Sequence, residues 1–113
     1  MEQLFAAGKS FAIFPIKVFF TGVEGQDNRL KVAVGASARN FKTAVQRNRI
    51  KRLLREAYRM EKLPLHDFLE KNEKQCAVFF LYIDKMMPQY LLLKEKMNLA
   101  IRRLIKELSE KNS

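Results

Sequence analysis

The chain has 113 residues, with 22 Lys and Arg against 12 Asp and Glu, a net charge of +10 and a pI near 10. That length fits one domain, residues 1–113, with one modest core. An apolar fraction of 48% excludes a disordered basic tail, and the charge points to nucleic acid or an anionic membrane. The apolar runs are too short to span a bilayer. No basic n-region leads into an apolar h-region, so a cytoplasmic location is expected. Cys76 is alone, which excludes an internal disulfide and a cysteine-based zinc site, and it reads as a buried thiol.

Met1 to Ala7 reads as a short helix closed by Gly8. Ser10 to Thr21 is rich in Phe, Ile and Val and reads as a strand, with Pro15 marking an edge or a bulge. Alternation puts Phe14, Ile16, Val18 and Phe20 on one face and Lys17, Phe19 and Thr21 on the other. Gly22 to Asn28 reads as a loop, and Leu30 to Ala36 as a second strand pairing antiparallel with the first. Leu30, Val32 and Val34 share one face, and the other carries Lys31 and the small residues Ala33, Gly35 and Ser37. Ala38 to Phe41 leads into a helix that ends between Met60 and Pro64. Leu65 to Asn72 reads as a short helix, and Gln75 to Ile83 as a strand buried on both faces. After a loop at Lys85 to Pro88, Tyr90 to Leu108 is a long helix with a core stripe of Leu93, Met97, Ala100, Ile101, Leu104, Ile105 and Leu108. Glu107 to Ser113 is expected to fray into a charged tail.

The stretch Lys42 to Arg59 organises the chain. On a helical wheel Arg47, Asn48, Lys51, Arg52, Arg55 and Arg59 fall within about 140° of one another, and Ile50, Leu53, Leu54 and Ala57 fall opposite. From Arg47 to Arg59 six basic residues, Arg49 among them, meet one acid, Glu56, and Arg52–Glu56 is the pair at favourable spacing. A solvated helix mixes signs, whereas an unpaired cationic row suits a polyanion.

Enzymatic constellations are poor. His66 is the sole histidine and reads as a surface or capping residue. The acids are scattered, and the four glycines form no phosphate loop. Nucleic-acid features are better. The cationic row supplies phosphate contacts, Asn48 sits within it, and Arg39 and Lys42 extend it into the preceding loop. Phe5 and Phe19 are candidates for stacking on unpaired bases, and the small face of the second strand would let a nucleic-acid backbone come close.

The run Ala44-Val45-Gln46-Arg47-Asn48-Arg49-Ile50-Lys51-Arg52-Leu53-Leu54-Arg55-Glu56 resembles the Arg-Asn-Arg signature helix of the bacterial ribonuclease P protein subunit. Length, element order and charge fit that family over nearly the whole chain. The resemblance implies an α+β fold in α-β-β-α-β-α order. Its sheet is small and mainly antiparallel, packed with helices, with a left-handed βαβ crossover, similar to ribosomal protein S5 domain 2. It also implies a protein that binds a catalytic RNA and the single-stranded 5′ leader of precursor tRNA. The RNA, holding divalent magnesium, then cuts the leader off. By position, Arg47, Asn48, Arg49, Lys51, Arg52, Arg55 and Arg59 would contact the RNA or line the cleft edge. Phe5, Lys17, Phe19 and Arg39 would face the leader.

No catalytic residue, protein-bound cofactor, protein-held metal, membrane or obligate protein partner is expected. Family members carry a basic lead-in ahead of the residue matching Phe5, and this sequence begins without it. Phe14 and Pro15 depart from the family's more polar pattern, with a different leader preference implied. The alternative is a stand-alone basic RNA-binding module of ribosomal or RNA-chaperone type. A membrane-surface helix is disfavoured because the apolar side is committed to a core and Trp is absent. A helix-turn-helix is disfavoured because strands flank the basic helix.

Overall fold

The computed structural model describes residues 9–22, 31–72 and 76–110. The first expected helix with Phe5, the loop after Gly22 and Leu30 lie outside the described residues. The elements are β1 (Lys9–Ile13), β2 (Ile16–Gly22), β3 (Lys31–Ala36), α1 (Ala44–Glu61), α2 (Leu63–Lys71), β4 (Cys76–Tyr82) and α3 (Tyr90–Glu110). The strands form one sheet in the order β1-β2-β4-β3. β1 with β2 and β2 with β4 are antiparallel, and β3 with β4 is parallel. The sheet is therefore mixed and mainly antiparallel, as expected.

Three details of the expected sheet are corrected. The stretch Ser10–Thr21 is a hairpin and not one strand. Ile13 pairs with Ile16 around a turn at Phe14 and Pro15, whose peptide bond is cis. Proline has no N–H for a ladder, so the chain reverses there. Phe14 consequently leaves the apolar face and stands 61% exposed at the tip. Second, β3 does not pair with the preceding strand. β4 inserts between them, opposing Val18 and Val34 at Phe80. Third, β4 is fully buried on one face only: Cys76, Val78, Phe80 and Tyr82 are buried, while Ala77, Phe79 and Leu81 are half-buried.

All the described helices contribute to a core on that one face. Ile50, Leu54 and Ala57 of α1, Leu65 and Leu69 of α2, and the α3 stripe meet Ile16, Val18, Phe20, Phe80 and Tyr82. Ile105 packs at the margin of this core. Cys76 lies inside it, and burial pushes its thiol up to about 12. α1 and α2 abut at Lys62, and Pro64 sits in the first turn of α2, where a missing N–H is harmless. α3 stays helical to Glu110, past the expected fraying point, because buried Leu108 holds its last turns on the core. Asn98 Nδ2 donates to Glu61 Oε1 at 2.9 Å, and Lys94 adds an ion pair at 3.8 Å, joining α3 to the end of α1.

One end of the sheet is tied by backbone groups. Ile83 N donates to Pro15 O at 2.9 Å, and Asn40 Nδ2 donates to Ile83 O at 3.1 Å. The hairpin tip, the segment after β4 and the loop into α1 are thus fixed to one another.

Candidate nucleic-acid interface

α1 starts cleanly. Thr43 is its N-cap: Oγ1 accepts from Gln46 N at 3.3 Å and donates to Gln46 Oε1 at 3.1 Å. Its apolar stripe turns inward as the wheel predicts, although Leu53 is only partly buried beside fully buried Ile50 and Leu54. The remaining circumference carries the cations. Asn48, Arg49, Arg52, Arg55 and Arg59 are exposed, as are Arg39 and Lys42 in the loop before the helix. Lys51 and Arg47 are half-buried.

Two of these cations have local duties. Arg47 Nη1 donates to Phe41 O at 2.7 Å, bracing the entry loop whose Phe41 ring is buried against Tyr82. Arg59, and not Arg52, takes Glu56: its Nε donates to Glu56 Oε2 at 3.2 Å. That hydrogen bond holds the Glu56 carboxyl below its ordinary range and the Arg59 guanidinium above its own. The i,i+3 contact stands in place of the expected i,i+4 one, with two guanidinium nitrogens of Arg59 donating to the two carboxylate oxygens. Among the described residues, no acid lies within ion-pair distance of Arg49, Lys51, Arg52 or Arg55.

The sheet face away from the helices is the second feature. Phe19 and Phe79, paired across β2 and β4, stack with ring centroids 6.2 Å apart and planes 26° apart. Lys17 Nζ lies 5.2 Å from the Phe19 ring centre. Phe79 was missed in the sequence because an all-apolar strand does not declare a solvent side. Gly35 is also corrected. The surface above it is not open, because a Cβ there would stand 2.7 Å from Phe79 Cζ. Glycine makes room for the aromatic ring and not for a nucleic-acid backbone.

Between β3 and α1 lies a cleft of about 350 Å³, lined by Val32, Ala33, Val34, Arg55 and Tyr58. Ala33 opposes Phe79 and shares its face, so the cleft joins the aromatic surface to the cationic helix around the β3 edge. Sequence reading missed Tyr58. Its hydroxyl lies 2.9 Å from His66 Nε2, joining α1 to α2, and its ring tilts against Phe80. Burial raises the Tyr58 phenol above its ordinary value. His66 is lowered, first by desolvation and then by Lys62. His66 is therefore a half-buried tie between helices and not a capping residue. Among the described residues, no three His, Cys, Asp or Glu side chains come together as a metal site. No described helix is long and apolar enough to cross a membrane.

Fold and site together define a small basic α+β domain that turns one cationic helix and one aromatic sheet face outward. The family described as Ribonuclease P matches residues 1–71. The chain is 30% identical over 105 residues to the ribonuclease P protein component of Porphyromonas gingivalis ATCC 33277, covering 92% of this chain and 77% of that one. It is 32% identical over 109 residues to that of Chlorobium phaeobacteroides, covering 87% and 75%. The fold is similar to that of the Staphylococcus aureus RNase P protein, with a TM-score of 0.69 at 16% identity over 91% of this chain and 86% of that one. The chain belongs to the ribonuclease P protein component family.

Proposed function

We propose that the exposed cations of α1 bind the RNA of ribonuclease P, and that the aromatic sheet face and adjoining cleft hold the 5′ leader of precursor tRNA. As a family member the chain is a protein subunit of ribonuclease P, with a part in tRNA processing. In this reading the RNA carries out the endonucleolytic cut with its own divalent magnesium. The protein contributes affinity and register. Phosphate contacts from α1 would set register without reading sequence. The Phe19–Phe79 pair would accept unpaired bases of any identity, with Lys17 beside it for a phosphate. The reading places the protein in the cytoplasm with no obligate protein partner.

The observation that carries it is a family match coupled to a helix whose cations Arg49, Arg52 and Arg55 face solvent with no acid in ion-pair distance among the described residues. The stand-alone module would share those cations but not the family match. The leader assignment is tested by holoenzyme affinity for precursor against mature tRNA. The wild-type protein should favour the precursor. Phe19→Ala should erode that preference roughly tenfold, as loss of one stacked base does. An unchanged preference in both Phe19→Ala and Lys17→Ala would place the leader elsewhere.

A further inference from the structure

We propose that Phe14 is a stacking platform for one unpaired nucleobase of the ribonuclease P RNA. The inference rests on the RNA-binding reading above and adds a contact outside the α1 row and the aromatic sheet face. Phe14 is 61% exposed at the β1–β2 tip, and its position is fixed on both sides. Ile13 pairs with Ile16 beneath it, and the carbonyl of buried Pro15 accepts from Ile83 N at 2.9 Å. Ile83 O in turn accepts from Asn40 Nδ2 at 3.1 Å, in the turn that also carries Arg39. The ring therefore projects from the end of the sheet where α1 begins.

The surroundings are cationic. Arg39 and Lys42 on the entry loop and Lys85 on the segment after β4 are all exposed. The neighbouring acid, Asp84, is engaged with backbone: its Oδ1 accepts from Lys85 N at 2.6 Å and Met86 N at 3.4 Å. An exposed aromatic ring on a rigid turn, among cations, has the chemistry of a base platform with phosphate partners. A second copy of this chain is the poorer occupant, because each copy carries +10 and would bring like charges together. The catalytic RNA is the source, because Phe14 shares its end of the fold with the start of the cationic helix, whereas Phe19 and Phe79 lie within the sheet face.

The chain has no Trp, so Phe14→Trp introduces its sole indole. That variant is titrated with ribonuclease P RNA alone, then with precursor tRNA added, and its emission and affinity are read. Wild type, Phe14→Tyr and Phe14→Leu are titrated alongside, with melting curves for all. The expected result is saturable quenching by the RNA alone. Phe14→Tyr should bind like wild type, and Phe14→Leu roughly tenfold more weakly at unchanged melting temperature. Unchanged emission while the RNA is bound would overturn the proposal, as would Phe14→Leu binding like wild type. Quenching only after precursor tRNA is added would overturn the assigned source. An emission change that follows protein concentration without RNA would make the ring a self-association contact instead. If wild type itself does not bind the RNA, the functional reading fails first.

Discussion

Leu54→Ala should destabilise the protein by about 2–5 kcal/mol, measured by urea unfolding, because truncating a fully buried leucine leaves a cavity its neighbours fill only in part. Leu54 is 0% exposed, midway along α1 in the core shared with the sheet and α3. Ile50 and Ala57 flank it at helical spacing and are equally buried, so the vacated space is enclosed and water cannot fill it. Leu53→Ala is the control. Leu53 only borders the core, so its truncation should cost clearly less. The sequence alone put both leucines on the inward face. A cost at Leu53 equal to that at Leu54 would mean that α1 is rotated from the position described.

The second large effect is on RNA affinity. If about six cations from Arg39 to Arg55 meet phosphates, affinity should fall with salt at a log–log slope of about 4 to 5. Between 50 and 200 mM salt that is a loss on the order of a thousandfold. Arg55→Ala should lower the slope by about one and leave melting unchanged, because Arg55 is exposed and has no acid partner among the described residues. Arg59→Ala should change the slope less, since Glu56 already neutralises that guanidinium. Arg47→Ala is distinct again. It removes a 2.7 Å bond to Phe41 O and should loosen the entry loop as well as weaken binding. A slope near one, or an Arg55→Ala protein that unfolds, would reject the assignment of the two faces of α1.

The cationic helix was legible because two independent patterns agree on it. The cations recur on one side at the helical period, and Ile50, Leu53, Leu54 and Ala57 recur on the other. α3 was legible for the same reason. The hairpin was not, because Phe14, Ile16, Val18 and Phe20 alternate as one face of a single Phe-, Ile- and Val-rich strand, and only Pro15 interrupts it. The place of β4 was invisible because sheet order is a long-range property. Its apolar residues looked buried on both sides, whereas Phe79 and Leu81 form part of the outer face. The pairing of Tyr58 with His66 crosses a helix break at Lys62, which no periodicity reports. Glu56 was within reach of Arg52 and Arg59 alike, and side-chain geometry chose the latter.

The most direct measurement is precursor-tRNA cleavage by a bacterial ribonuclease P RNA at low magnesium, with and without this protein. The protein should stimulate cleavage at the correct 5′ end, and removing Arg49, Arg52 and Arg55 together should abolish the stimulation. RNA binding without stimulation, or stimulation that survives loss of those three arginines, would contradict the proposed function.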